Sequence, residues 1–272
     1  MLRFGLLGRS LEHSFSKTLF ECLAKKYPLS YENFSVEPDK IGDFFVFAKN
    51  NLNGFNITVP YKLKPFEYPE IFGFSEESEK IGAVNTVVVK KDRLMAHNTD
   101  HVGFIVPLKN RSFKSALVFG AGGAARAVIY ALRNIRVYVF NRTRDKAREL
   151  VNRFPHVVPV EEPGEVIRDV DLIVNATSIG LHNERFYMLD PYREMNFSGK
   201  LFYDLIYNPP MTDFLKIGLK GGAEIINGIY MLIFQAVENI KIWLGRDLTE
   251  EVIRCSKSLL QESRTAGISW EF

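Results

Sequence analysis

Cysteine is nearly missing from this chain. Only Cys22 and Cys255 occur among 272 residues, far apart and without a C-x-x-C pair. That scarcity argues against thiol redox chemistry and fits two separate, inert, buried thiols in a reducing compartment. Histidine is also sparse: five are present, isolated from one another, and no His/Cys/Asp/Glu cluster has ligand spacing, so no metal site is expected. No apolar run approaches the ~20 residues of a membrane helix, and the N-terminus carries no signal-peptide pattern. A soluble, cytoplasmic protein is expected. An excess of one charge is missing too. The net charge is +3 with the basic residues scattered, which argues against nucleic acid or a membrane as partner. Repeats and low-complexity tracts are absent. What remains is ordinary globular composition, 46% hydrophobic and 25% charged, in a length that suits one large or two moderate domains.

The most informative stretch is Ser115–Leu132, SALVFGAGGAARAVIYAL. An apolar run, Ala116–Phe119, reads as a buried parallel strand. It turns through Gly120-Ala121-Gly122-Gly123 into an alanine-rich helix. Such a turn aims backbone N–H groups and the positive end of a helix at one point, which suits a phosphate. In the dinucleotide form of this motif, Gly120 permits the tight turn and Gly122 the close approach of a pyrophosphate. Ala125 stands where a third glycine often keeps the helix against the sheet. A second strand, Arg136–Phe140, follows at the expected distance. One further absence is decisive here. No acid closes that strand, where an NAD site places Asp or Glu for the ribose 2′-hydroxyl. Asn141-Arg142-Thr143-Arg144 stands there instead, with Lys146 behind. Guanidinium groups grip a 2′-phosphate that a carboxylate would repel, so NADP is the expected cofactor.

Before this fold, Leu2–Leu7 reads as a strand and Lys17–Tyr27 as a helix. Ser14 and Ser16 stand at its entry, either as carboxylate ligands or, for Ser16, as a helix cap. Tyr31–Val36 reads as a strand and Lys40–Lys49 as an amphipathic helix. In Gly54–Val59, alternation places Phe55, Ile57 and Val59 on one face and Asn56 and Thr58 on the other. Pro60 stops that strand, and Lys62 projects beyond its C-terminal end, where open α/β sheets carry ligands. From pattern alone, a turn lysine is as a rule simply solvated. Two strand-like runs, Asn85–Lys91 and Arg93–His97, meet in hairpin fashion at Lys91-Asp92. They lead to Asn98-Thr99-Asp100, a helix-capping signal before Val102–Leu108. Later units are strands Leu172–Ala176, Leu201–Ile206 and Glu224–Ile226, with helices Thr212–Leu219, Gly228–Trp243 and Thr249–Leu260. Met231 and Gln235 are i, i+4 neighbours on the long helix.

Taken in order, LEHSFS (Leu11–Ser16), NITVPYK (Asn56–Lys62), AVNT (Ala83–Thr86), NTD (Asn98–Asp100), GAGGAARA (Gly120–Ala127), NRT (Asn141–Thr143), NATSIG (Asn175–Gly180), DLIYNP (Asp204–Pro209) and GIYMLIFQA (Gly228–Ala236) span nearly the whole chain. In that order and spacing they resemble the shikimate dehydrogenase family. The resemblance implies an α/β protein with an N-terminal α/β substrate domain and a Rossmann-type NADP-binding domain built on a parallel sheet. It implies reversible, NADPH-dependent reduction of 3-dehydroshikimate to shikimate, a step towards chorismate and the aromatic amino acids. By the same resemblance, Ser14 and Ser16 hold the substrate carboxylate, and Thr58, Asn85 and Gln235 bond ring hydroxyls with Tyr207 nearby. Lys62 and Asp100 form the catalytic pair. Gly120, Ala121, Gly122, Gly123, Ala124, Thr177 and Ser178 contact the cofactor. Asn141, Arg142, Thr143 and Lys146 read its 2′-phosphate, and Gly228 and Met231 lie beside the nicotinamide. Several positions depart from the family pattern, among them Lys17, Phe20-Glu21, Tyr61, His101 and Asn227. His101 matters most, as a large side chain beside Asp100.

A quinate/shikimate enzyme is a close alternative. A ligand-sensing relative without catalysis is a distant one, since such a protein could dispense with Lys62 or Asp100 and this chain has both. The domain expectation is residues 1–99 with 232–272 for substrate and 100–231 for NADP, because the last helices need the N-terminal sheet to cover. Nothing in the sequence fixes the oligomeric state, and a homodimer stays open.

Overall fold

A computed structural model describes residues 1–261 apart from His13, Asp92 and Leu259. Parts of the expected Lys91-Asp92 turn, of the LEHSFS motif and of the last helix, and residues 262–272 of the segment assigned to substrate, lie outside the described residues. The chain divides into two units, one of Met1–Gly103 with Ile233–Lys257 and one containing Phe104–Leu232.

The first unit is a mixed six-stranded sheet with strand order β2-β1-β3-β5-β6-β4. Its strands are β1 (Leu2–Gly8), β2 (Leu29–Ser35), β3 (Gly54–Ile57), β4 (Phe72–Phe74), β5 (Thr86–Val89) and β6 (Leu94–His97). Strands β2 and β3 flank β1 in parallel, whereas β5 runs antiparallel to β3 and to β6. β3 is buried along its whole length, so Asn56 is enclosed as firmly as Phe55 and Ile57. The expected alternation fails at its end: Val59 is 64% exposed, because the chain leaves the sheet after Ile57 and turns at Pro60 into a 3-10 helix, Tyr61–Glu67. The three-residue strand β4 did not stand out in the sequence.

Helix α1 (Ser16–Ala24) buries Leu19, Phe20 and Leu23, the i, i+1, i+4 stripe of an amphipathic helix. Phe15, not Ser16, is its N-cap and no side chain caps it; Ser16 is already helical. Helix α2 (Ile41–Asn51) buries Phe44, Phe45 and Ala48 over the sheet. Short helix α3 (Glu76–Ile81) has full termini. The Ser75 hydroxyl accepts from the Ser78 N–H at 3.2 Å, and Gly82 closes it in the left-handed region at φ 67°. Helix α4 (Asp100–Ile105) starts on Asp100 itself.

The second unit carries an all-parallel sheet: β7 (Ser115–Phe119), β8 (Arg136–Phe140), β9 (Val157–Pro159), β10 (Leu172–Asn175), β11 (Leu201–Asp204) and β12 (Glu224–Ile226). Its order, β12-β11-β10-β7-β8-β9, is that of a dinucleotide-binding fold, and the topology reverses between β7 and β10. Helix α5 (Gly123–Ala131) follows β7, and α6 (Arg144–Arg153) follows β8 with Thr143 as its N-cap residue. Edge strand β9 has only three residues and ends on a proline, too short a pattern to mark a strand in the sequence. Helix α7 (Asp213–Lys220) is capped by the Thr212 hydroxyl.

Helix α8 (Ile229–Leu244) enters the first unit at Ile233. Its last turn is anchored there by Trp243, which stacks on Phe4 at 4.5 Å and donates its indole N–H to the Val87 carbonyl at 2.9 Å. Trp243 also occupies the space that a side chain at Gly54 would need: a Cβ there would lie 2.5 Å from the indole nitrogen. Helix α9 (Thr249–Cys255) lies beside α1, with Tyr27 and Lys26 both reaching Glu251. The expectation of two separate thiols is corrected here. Cys22 of α1 and Cys255 of α9 form a disulfide, with Cα atoms 5.8 Å apart. Sequence separation, 233 residues, hid a pair that two packed helices bring together.

Candidate active site

In the first unit, a buried polar group collects where β3, β5, β6, α4 and α8 carry their side chains. Lys62 sits in the 3-10 turn after β3, its backbone pinned by the Val84 N–H on its carbonyl at 2.7 Å. Its ammonium donates to Asp100 Oδ2 at 2.5 Å. The two side chains are only 13% and 7% exposed, so water does not screen this pair as it does surface salt bridges. The other carboxylate oxygen, Oδ1, accepts from Asn85 Nδ2 at 2.8 Å. Asn85 is held in turn by the Thr99 backbone N–H on its Oδ1 at 2.7 Å. Asp100 is thus oriented from both sides before any ligand arrives. His101, the departure beside it, has its Nδ1 2.8 Å from the Asn98 carbonyl, which ties the ring to the preceding turn.

Gln235 joins through its Oε1, which accepts from Asn239 at 2.9 Å. Ser14 and Ser16 are adjacent at the start of α1, where the Ser16 N–H meets Ser14 Oγ at 3.3 Å. The Ser16 hydroxyl also bonds the Tyr31 phenol, whose pKa burial pushes up against that hydrogen bond. Tyr31 donates to Asn56 Oδ1 at 2.9 Å, and Asn56 Nδ2 reaches the Asn85 carbonyl at 3.0 Å. Thr58 is half-buried past the end of β3, its N–H on the Leu7 carbonyl at 2.9 Å. So Lys62, Asp100, Asn85 and Gln235 are directly linked, and Ser16 reaches them through Tyr31 and Asn56. Tyr207 lies in the second unit, just past β11. Sequence reading passed over Asn56, Thr86, Thr99 and Asn239 as partners in this group. The only available signal was that Asn239 continues the Met231, Gln235 spacing by one more helical step.

In the second unit, the glycine turn has the geometry a phosphate requires. Gly120 has φ +111°, and a Cβ there would lie 3.0 Å from the Ala176 carbonyl. That contact spans the β7–β10 reversal, so Ala121–Ala124 and Thr177–Ser178 belong to one rim. Gly122 is exposed, and nothing stands within 4 Å of where its Cβ would be, so the helix entrance is open to a ligand. The first N–H groups of α5 have no partner inside the helix. Thr177 is fixed by Asn175, which accepts from its N–H at 3.0 Å and its hydroxyl at 2.7 Å. Asn175 in turn donates to Asp204 at 3.0 Å. Asp204 is fully buried, and burial lifts its carboxyl to about 7, against the hydrogen bonds from Thr212, Ile206 and Asn175. Gly228 leaves no room for a side chain, since a Cβ would fall 1.9 Å from the Leu205 carbonyl. Met231, one turn later, is buried.

After β8, Asn141 Nδ2 binds the Thr143 carbonyl at 2.7 Å and shapes the turn. Arg144 is engaged by Glu161 at 3.1 Å. Arg142 and Lys146 are exposed and make no salt bridge among the described residues, so their charges can meet an anion. The residues present fit NADP: an open helix entrance for the pyrophosphate and two uncommitted cations for a 2′-phosphate.

Known proteins resemble this chain over most of its length. Residues 6–87 match the family described as shikimate dehydrogenase substrate binding domain, and residues 107–205 the family described as shikimate / quinate 5-dehydrogenase. A protein of Pelagibacter ubique named shikimate dehydrogenase (NADP(+)) is 38% identical over 250 residues, 88% of this chain and 92% of its own. Shikimate dehydrogenase of Aquifex aeolicus superposes with TM-score 0.86 at 34% identity, covering 94% of this chain and 98% of that one. The Thermus thermophilus enzyme, solved with NADP(H) and shikimate, superposes with TM-score 0.81 at 30% identity, covering 96% and 100%. No described helix is long and apolar enough to cross a membrane.

Proposed function

The chain belongs to the shikimate dehydrogenase family, and on that premise we propose that Lys62 and Asp100 are the acid–base pair of its reaction, the reversible NADPH-dependent reduction of 3-dehydroshikimate to shikimate. The observation that carries this is the shielded Lys62–Asp100 contact at 2.5 Å, with Asn85 on the far carboxylate oxygen. NADPH supplies the hydride that reaches the carbonyl carbon; the protein must supply the proton and the alignment. Lys62 Nζ gives that proton to the carbonyl oxygen and takes it back in the oxidation. Asp100 aims the ammonium and compensates its charge. Ser14 and Ser16 receive the substrate carboxylate at the start of α1, and Thr58, Asn85 and Gln235 receive ring hydroxyls, with Tyr207 as a further contact. The first unit binds substrate. The second binds NADP through Gly120–Ala124, Thr177 and Ser178, with Arg142, Lys146, Asn141 and Thr143 on the 2′-phosphate and Gly228 and Met231 beside the nicotinamide.

A soluble acid substrate and a soluble cofactor support a cytoplasmic enzyme, whose assembly, monomer or homodimer, sedimentation equilibrium reads directly. The test of function is absorbance at the NADPH band with shikimate and quinate, each with NADP and NAD. Turnover of shikimate with NADP is expected. Activity with neither acid would sink the proposal.

A further inference from the structure

We infer that Asn239 is a positioning residue: it sets which way round the Gln235 amide faces, and so whether that side chain offers the substrate a donor or an acceptor. The inference rests on the reading of Gln235 as a substrate contact. Asn239 is fully buried on α8, one helical step beyond Gln235. Its Oδ1 lies 2.6 Å from the Thr86 hydroxyl and 2.7 Å from the Thr99 hydroxyl. Those are O–H···O lengths, shorter than the usual N–H···O distance of about 2.9–3.0 Å. The oxygen of Asn239, not its nitrogen, therefore faces the two threonines.

The neighbours agree with that direction. The Thr99 N–H fixes Asn85 Oδ1, so Asn85 Nδ2 donates to Thr99 Oγ1 at 2.9 Å and Thr99 passes its proton on to Asn239. Asn56 Nδ2 donates to Thr86 Oγ1 at 3.2 Å, so Thr86 likewise passes its proton on. With Oδ1 committed to two hydroxyls, Asn239 has only Nδ2 left for Gln235. The contact there is 2.9 Å, to Oε1. Asn85 Nδ2 approaches the same oxygen at 3.5 Å. Two backbone groups, the Thr99 N–H and the Asn85 carbonyl, thus propagate their polarity through five side chains, Asn85, Thr99, Asn56, Thr86 and Asn239. At the end of the chain Gln235 is held by its oxygen, so as a substrate contact it has its amide nitrogen to offer. A substrate hydroxyl then meets a donor, and the reversed amide would meet it with an acceptor.

The test combines Asn239→Leu with Gln235→Ala. Leu has the branching and the number of side-chain heavy atoms of Asn, and the two threonine hydroxyls keep Asn85 Oδ1 as an acceptor at 2.9 and 3.2 Å, so the fold should survive. Loss of one correctly directed hydrogen bond should raise KM for shikimate about tenfold, with kcat and KM for NADP little changed. On the Gln235→Ala background, Asn239→Leu should have no further effect on KM. An equal loss on both backgrounds, or no loss on the wild-type background, would overturn the inference. Gln235→Ala with an unchanged shikimate KM would instead remove the underlying reading of Gln235. If Asn239→Leu does not fold, Asn239→Asp gives a second readout. Its neutral carboxyl can still donate to Oε1 and its ionised form cannot, so KM for shikimate should climb with pH; a flat profile would overturn the inference.

Discussion

The disulfide gives the sharpest quantitative prediction. Cys22 and Cys255 close a loop of 233 residues, so in the unfolded protein the bond turns almost the whole chain into a ring. In the loop-closure account, that removes about 18 cal/mol/K of chain entropy, or about 5 kcal/mol at 25 °C. Both cysteines are half-buried and local packing is largely kept by serine, so Cys22→Ser with Cys255→Ser isolates the covalent term. The closed ends belong to a unit of about 130 residues, whose unfolding entropy is roughly 2 cal/mol/K per residue near 60 °C. If that unit melts by itself, Tm falls by almost 20 °C; if the whole chain melts together, by about 10 °C. The assay is calorimetry of oxidised wild type, reduced wild type and the double variant, with thiols titrated in denaturant beforehand. Reduced wild type and the variant should melt together, below oxidised protein. Two titratable thiols in unreduced protein would show that the bond does not form. Equal melting of all three, with the bond present, would show that α1 and α9 already hold the ends in the unfolded state.

Three further predictions follow from the sites. Lys62→Ala should cut kcat by about 10²–10⁴ with shikimate KM within a small factor, and Asp100→Asn should match it, the double variant being little worse than either; near-normal kcat in Lys62→Ala would reduce the lysine to a binding residue. Arg142→Asp should weaken NADP by roughly ten- to a hundredfold, as expected of a charge-assisted contact of about 1.5–3 kcal/mol, while NAD is little changed; equal losses in fluorescence titrations would refute the 2′-phosphate role. Asp204 has its pKa raised from 3.8 to about 7. Its neutral form therefore favours folding fully below pH 3.8 and loses that advantage as pH rises through 7, a span of about 4 kcal/mol at 1.36 kcal/mol per pH unit. Urea unfolding from pH 4 to 8 should show a flatter pH dependence in Asp204→Asn, and parallel wild-type and variant curves would show that Asp204 is not the group responsible.

What could be read from the chain, and what could not, divides by the range of the interaction. The Gly120–Gly123 turn, its flanking strands and the missing acid after Phe140 are local signals, and the parallel sheet follows from them. The Lys62–Asp100 pair was legible through family motifs alone, since a lysine in a turn and a capping aspartate are individually unremarkable in pattern. Ser16 reads as a cap because its residue type favours that role, yet the helix starts one residue early and leaves the hydroxyl to Tyr31. Val59 continues an alternation that the turn at Pro60 cuts short. The cysteine pairing depends on two helices from opposite ends of the chain, and the partners of Asn239 on a helix meeting distant strands, so neither is encoded locally. An asparagine next to Glu238 on this helix looks like an exposed position until Thr86 and Thr99 are placed beside it.

The division of the chain also sets an order of assembly. The second unit is drawn mainly from one stretch, Phe104–Leu232, whereas the sheet of the first needs Ile233–Lys257 to return to Met1–Gly103. On a ribosome adding about 5–20 residues per second, the N-terminal sheet waits on the order of ten seconds for Trp243. During that interval Phe4, Phe20 and Tyr31, the rings around that indole, have no cover from α8. The unit begun first therefore stays open until most of the chain has been made, and a nascent chain stalled before residue 243 presents an aromatic face to chaperones.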